Sequence, residues 1–194
     1  MSQYFETIKV ENGRLFNIEE HNHRLNKTIS QLYNKDSNID LSKIISLPHD
    51  KELFRCKVIY DKQIKDIQFY PYTPRYIKSF KLITSNIKYN YKYVDRDGID
   101  KLFLQKGSCD EILIVDEDGL LKDTSISNIA IKKEGIWLTP KNPLLYGTMR
   151  SRLIKKNILY EKDLFIKDIE NIDSFVIINA MIGLHEIIKP KFSW

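Results

Sequence analysis

The sequence predicts an α+β fold in two subdomains, and three observations carry that prediction. Strand pairs and helices fall in separate blocks rather than in strict β–α alternation, which disfavours a doubly wound parallel sheet. A hydrophobic share of 42% and a charged share of 29% describe a globular chain, and 194 residues fit one domain or two small ones. The run Tyr70-Pro71-Tyr72-Thr73-Pro74-Arg75 is broken twice by proline. It marks a boundary between a small first subdomain over 1–76 and a larger second one over 77–194.

In the first subdomain, Tyr4 to Val10 alternates Phe5, Thr7 and Lys9 against Glu6, Ile8 and Val10, the period of a strand. Glu11-Asn12-Gly13 is a hairpin signal, and a return strand runs from Arg14 to Phe16. Asn17-Ile18-Glu19-Glu20 approximates a capping box. The helix it opens carries Leu25, Ile29 and Leu32 on one face and ends in Asn34-Lys35-Asp36-Ser37-Asn38. A short helix over Asp40 to Leu47 and two strands, Phe54 to Tyr60 and Ile64 to Phe69, complete the block.

The second subdomain opens with a strand over Phe80 to Ile87. Tyr89 to Tyr93 reads as a loop without period, and a helix from Asp95 to Lys106 stops at Gly107, the residue type that favours a helix C-terminus. Glu111 to Val115 reads as a buried strand turned by Asp116-Glu117-Asp118-Gly119. Further strands are expected at Ile126 to Ile131, Gly135 to Leu138, Ser174 to Asn179 and Leu184 to Ile188. Between them Gly147-Thr148-Met149-Arg150 opens a helix to about Lys156.

Composition excludes several functions. The longest apolar stretch, Ser174 to Leu184, is too short to span a bilayer. The first residues are not basic and lead into no apolar core, so a secretory signal is not expected. Cys56 and Cys109 stand far apart, which suggests reduced thiols in a cytoplasmic protein and neither a disulfide framework nor a metal site. The net charge is +5, but seven of the 31 basic residues are Arg and acidic residues are interspersed throughout. That pattern reads as a solvated surface, and neither a nucleic-acid nor a membrane partner is expected.

Four places could carry chemistry. Lys92 lies between Tyr91 and Tyr93 just before a helix, where desolvation would free the amine for Schiff-base chemistry. The same stretch also reads as a surface lysine among tyrosines, or as a basic–aromatic nucleic-acid surface. Gly147-Thr148 at a helix start offers backbone N–H groups to a phosphate, or is an ordinary capped helix. Arg24, flanked by His21 and His23, could clamp a phosphate or face solvent; the histidines, two apart, point to different sides and share no metal. Asp123 sits in a polar cluster, Lys122 to Asn128, where a carboxylate could bond a protonated ring nitrogen or simply form a turn.

Five segments in register join these places. Lys92-Tyr93-Val94-Asp95-Arg96, Asp110 to Asp116, Asp123 to Ile129, Leu138-Thr139-Pro140 and Gly147 to Arg150 occur in the order of the class IV aminotransferases, and Phe5-Glu6-Thr7-Ile8 and His21-x-x-Arg24-Leu25 match the family's N-terminal pattern. The chain resembles this family of pyridoxal-phosphate enzymes over nearly its whole length, most closely 4-amino-4-deoxychorismate lyase. The resemblance implies a fold of type IV, a homodimer, a small-molecule amino substrate and pyridoxal 5′-phosphate as cofactor. It implies that Lys92 bonds the cofactor and shuttles the Cα proton, that Arg24 and the N–H groups of Thr148 and Met149 hold the phosphate, and that Asp123 holds the pyridine nitrogen protonated. Asn128, Asn179 and Ala180 are implied at the cofactor. Asp123 stands where the family usually has Glu, one methylene longer, and Arg96 stands where aminotransferases often have Tyr.

Two reactions share that chemistry. An aminotransferase releases a keto acid; the lyase expels pyruvate and leaves 4-aminobenzoate, a step in folate synthesis. Asn179-Ala180-Met181 resembles the lyase pattern, since Ala180 has no hydroxyl for the phosphate contact of aminotransferases. A branched-chain or D-amino-acid aminotransferase is the second reading, and a non-catalytic binding module on the same fold the third. The family usually carries about two strands before the Phe5-Glu6-Thr7-Ile8 motif, so a shortened first subdomain is expected.

Overall fold

The computed structural model describes residues 2–50 and 52–194, and its strands and helices form an α+β fold. The chain forms two compact units: one runs to Pro74 and includes Tyr91–Asp95, the other comprises Arg75–Asn90 and Arg96–Trp194. The boundary expected at 76/77 is set at Pro74/Arg75, and Lys92, expected in the second subdomain, belongs to the first unit. The reason is hydrogen bonding. Phe5 N donates to Lys92 O at 2.9 Å and Val94 N to Gln3 O at 2.8 Å. The rings of Tyr91 and Tyr93 also pack against Tyr4, at 6.0 and 5.2 Å between centroids.

The first unit contains strands β1 (Tyr4–Glu11) and β2 (Arg14–Leu15), helices α1 (Ile18–Tyr33) and α2 (Leu41–Ile44), and strands β3 (Phe54–Tyr60) and β4 (Ile64–Pro71). They form an antiparallel sheet of order β2-β1-β3-β4. Asn12 (φ 50°) and Gly13 (φ 67°) supply the two left-handed positions that a type I′ hairpin turn requires. One face of β1 is buried, and Ile8 and Val10 pack with Leu25 and Ile29 of α1 and with Cys56, Val58 and Tyr60. Asn17 does not close a capping box. It adopts a left-handed conformation (φ 57°) rather than the extended one of a capping residue, and its side chain makes no cap hydrogen bond.

The second unit contains β5 (Ser79–Thr84), α3 (Asp97–Phe103), β6 (Glu111–Val115), β7 (Leu121–Thr124), β8 (Asn128–Lys133), β9 (Ile136–Pro140), α4 (Thr148–Lys155), β10 (Tyr160–Lys162), β11 (Ser174–Asn179), β12 (Gly183–Glu186) and β13 (Lys191–Ser193). Two sheets result, of order β13-β5-β6-β7 and β10-β9-β8-β11-β12. Their shared core joins Phe80, Leu113, Val115 and Leu121 of the first to Ile129, Ile131, Phe175 and Ile177 of the second. The intervening residues Ala130, Val176 and Ile178 face the other way and pack with Leu153 of α4, as the two-residue strand period demands.

The helix expected over Asp95 to Lys106 is shorter: α3 runs into a 3-10 turn, Leu104–Lys106, which stops at Gly107 (φ 58°). Strands β7, β10 and β13 were not predicted. No helix among the described residues is long and apolar enough to cross a membrane.

Candidate active site

In the first unit the inward face of β1 carries a charged residue. Glu6 follows Tyr4 and precedes Ile8 on that face and is fully buried. Two residues of α1, one turn apart, meet it. Arg24 donates from Nε to Oε1 at 2.9 Å and from Nη2 to Oε2 at 2.5 Å, a bidentate fork. His21, also fully buried, lies with Nδ1 2.6 Å from Oε2. Burial pushes the Glu6 carboxyl up, but Arg24 and His21 together outweigh it and bring the value down to about 2. Burial holds the His21 imidazole below its ordinary value. Glu6 is therefore an anion, and a neutral His21 donates to it through Nδ1–H, since a carboxylate can only accept.

Lys92 belongs to the same unit. Its carbonyl pairs with β1, and its Nζ lies 4.6 Å from the centroid of the Phe5 ring. Its charge is among the influences that hold His21 down. Arg24 and Lys92 are thus brought into one unit around β1.

In the second unit Asp123 of β7 is buried, with 4% of its surface exposed. Its Oδ1 accepts from Asn128 Nδ2 at 2.8 Å, and its Oδ2 accepts from Leu145 N at 2.9 Å. Asn128 Nδ2 also donates to Leu145 O at 2.8 Å, so both amide hydrogens are committed. Asn128 Oδ1 packs on Gly147; a Cβ there would stand 2.0 Å from it. One side chain therefore ties Asp123 to the segment that leads into α4. The N-cap of α4 is Gly147, which makes no side-chain cap hydrogen bond.

Burial pushes the Asp123 carboxyl up to about 6, against its hydrogen bonds and the longer-range charge of Arg150. Among the described residues no Lys, Arg or His makes an ion pair with Asp123. A buried carboxylate held only by neutral donors is one that a cationic N–H would complete.

The loop after Asp123 is pinned from three sides. Arg96 Nη2 donates to Ser125 O at 2.9 Å. The fully buried Glu111 accepts from Ser125 N at 3.4 Å and pairs with Arg75. Asn179 donates through Nδ2 to Ser127 Oγ at 2.9 Å. Its Oδ1 accepts from Met181 N at 2.9 Å and Ile182 N at 3.1 Å, so it also caps the turn after β11 in which Ala180 sits. Arg96, Asp123, Asn128, Asn179 and the α4 start thus form one connected set in the second unit.

Sequence reasoning singled out neither Glu6 nor Glu111 as a site residue. Both carried a readable signal: a glutamate on the buried face of a strand needs a cation, and Arg24 and Arg75 supply one.

The profile of the family described as amino-transferase class IV matches residues 90–189, more than half of the chain. The chain belongs to the class IV aminotransferase family. An "Uncharacterized protein" of Haemophilus influenzae is 37% identical over 189 residues, 95% of this chain and all of that one. A solved structure from Haemophilus somnus, named a "putative 4-amino-4-deoxychorismate lyase", is 33% identical. It covers 95% of this chain and 98% of its own, with a TM-score of 0.87. A "Putative amino-acid aminotransferase" from Mesorhizobium loti shares the fold, with a TM-score of 0.86 at 18% identity over the whole of both chains. Class IV aminotransferases are pyridoxal-phosphate-dependent enzymes that act on small molecules, and this member is an enzyme of that class.

Each unit holds residues whose chemistry suits that cofactor. Arg24 and Lys92 supply an anion-binding guanidinium and a primary amine. Asp123 supplies a buried carboxylate with no ion-pair partner among the described residues, the environment that a protonated pyridine nitrogen requires.

Proposed function

We propose that this class IV aminotransferase-family enzyme binds pyridoxal 5′-phosphate and acts as a lyase that converts 4-amino-4-deoxychorismate to 4-aminobenzoate and pyruvate. The observation that carries the cofactor reading is Asp123, a carboxylate kept in the interior without a cation beside it. The substrate reading rests on the Haemophilus somnus relative, whose name says lyase. Ala180 supports it, since that position carries no hydroxyl.

Each residue takes a role from its chemistry. The bound cofactor supplies an aldehyde for the substrate amine and a ring that withdraws electrons. Lys92 would hold the cofactor carbon and, once displaced, move the proton at the substrate Cα. Asp123 would keep the pyridine nitrogen protonated. Arg24 would bind the phosphate, with the N–H groups of Thr148 and Met149 at the start of α4 as further donors. Asn128 acts through Asp123, because both its N–H groups are already committed. Arg96 and Asn179 hold the loop that follows Asp123. A homodimer in the cytoplasm, serving folate synthesis, completes the proposal.

The test is the near-visible spectrum of the purified protein with added pyridoxal phosphate, followed by borohydride. The expected result is a yellow band that borohydride fixes on Lys92 and that Lys92→Ala abolishes. An unchanged band in Lys92→Ala would remove the lysine from its role. Release of 4-aminobenzoate and pyruvate separates the lyase from an aminotransferase, which would release a keto acid.

A further inference from the structure

The sheet of the first unit carries, on its outer face, a cation that the roles above leave unused. Lys57 of β3 points away from the core, since Cys56 and Val58 on either side of it are fully buried. Lys57 itself is partly buried. Its cross-strand neighbours are neutral, Thr7 on β1 and Gln68 on β4. Among the described residues Lys57 makes no ion pair. Lys9, on the same face, is paired with Glu11 at 2.9 Å. Asp66 of β4 is engaged elsewhere, with Ile67 N at 2.9 Å and Gln68 Nε2 at 2.6 Å. What Lys57 does meet is the ring of Phe5, whose centroid lies 5.3 Å from its Nζ. The Nζ of Lys92 lies 4.6 Å from the same centroid. The two lysines reach that ring from opposite edges of β1: Lys57 from β3, and Lys92 from the segment whose carbonyl accepts from Phe5 N.

We propose that Lys57 binds a carboxylate of the substrate, the one that remains in 4-aminobenzoate; the proposal rests on the lyase reading above. A cation partly withdrawn from water is costly, an aromatic ring offsets that cost only in part, and an anion beside it offsets far more. Two ammonium groups about one ring also repel each other, which a carboxylate at Lys57 relieves. The lyase reaction leaves both carboxylates of its substrate intact, one in each product. The substrate amine has to come to the cofactor at Lys92, which fixes that end. In 4-aminobenzoate the amine and the carboxylate stand at opposite ends of one ring, and Lys92 and Lys57 flank Phe5 in the same order. Lys57 thereby selects for an acid: an amine without a carboxylate would leave the ammonium unpaired.

The experiment measures dissociation constants of 4-aminobenzoate and of 4-aminobenzamide, its uncharged counterpart, on the full chain with and without saturating pyridoxal phosphate. The wild type should prefer the carboxylate. Lys57→Met should weaken 4-aminobenzoate on the order of tenfold, the scale of a hydrogen bond to a charged group, and leave 4-aminobenzamide unchanged. Lys57→Arg should keep the preference. Lys9→Met, which removes a cation already paired with Glu11, should keep it too. The yellow band and its fixation on Lys92 by borohydride should persist in Lys57→Met, which shows the variant folded and loaded. A wild type that binds the two probes equally or binds neither, equal weakening of both in Lys57→Met, or the same loss in Lys9→Met overturns the proposal. Should Lys57→Met fail to fold, Lys57→Gln against Lys57→Arg reads the same charge. A wild type that forms no yellow band yet prefers 4-aminobenzoate through Lys57 would refute the cofactor reading and uphold the carboxylate site.

Discussion

Asp123→Asn is the perturbation whose size follows most directly from the structure. Burial lifts the Asp123 carboxyl from its ordinary 3.8 to about 6. The folded state therefore binds the proton more tightly than the unfolded chain does. Stability is highest below 3.8, falls as pH rises through that interval and levels off above about 6. The interval corresponds to about 3 kcal/mol. Asn removes the ionisation but sets an NH2 against one of two donors, Asn128 Nδ2 or Leu145 N, and loses one hydrogen bond. That loss costs about 1–3 kcal/mol. The variant should therefore be less stable than the wild type at pH 4 and equal or more stable at pH 8. Urea unfolding of both proteins at five pH values between 4 and 8 reads the difference directly, and subtraction cancels every other titrating group. A difference that stays constant across that range would refute the reasoning, because it would mean that Asp123 titrates alike folded and unfolded.

Two further outcomes follow. Gly147→Ala sets a Cβ 2.0 Å from Asn128 Oδ1, so Asn128 must move; overpacking of this kind costs about 1–3 kcal/mol, and a thermal melt with no decrease in midpoint would contradict the contact. In acid, the Glu6 contribution is present above 4.5 and is lost as pH falls through about 2, a loss of about 3 kcal/mol. Acid unfolding that sets in at the same pH for wild type and Glu6→Gln would show that the carboxylate is not held as described.

Much of the fold was legible because its signals are local. Asn12-Gly13 declares its hairpin through two left-handed positions, and β3 carries a clear period, buried at every second residue. What was missed depends on distant partners. β7 reads as polar because Lys122, Asp123 and Thr124 fill it, and it forms only where β6 pairs with it. β13 and β10 are three-residue strands that exist through parallel pairing with β5 and β9, which no local pattern announces. The segment around Lys92 has no period of its own and takes its place from the edge of β1.

The site was legible unevenly for the same reason. Motif order pointed to Lys92, Arg24 and Asp123, but the partner of Arg24 was hidden in plain parity. Glu6 shares its face with Ile8 and Val10, and the strand alternation alone put it inside. Asn128 showed its residue type in the sequence, but not that both its hydrogens would be spent on Asp123 and Leu145.

The segment Tyr91–Asp95 leaves one unit and joins the other, so the chain passes between them three times, at Pro74/Arg75, Asn90/Tyr91 and Asp95/Arg96. The two units are laced rather than strung. A single cut near Pro74 cannot release an intact first unit, since the piece ending there lacks the partners of Phe5 N–H and the two rings that pack on Tyr4. The amine-bearing segment can finish folding only after the chain has gone into the second unit and returned. Synthesis from the N-terminus therefore delays the assembly of Lys92 on β1 until at least residue 95 has left the ribosome.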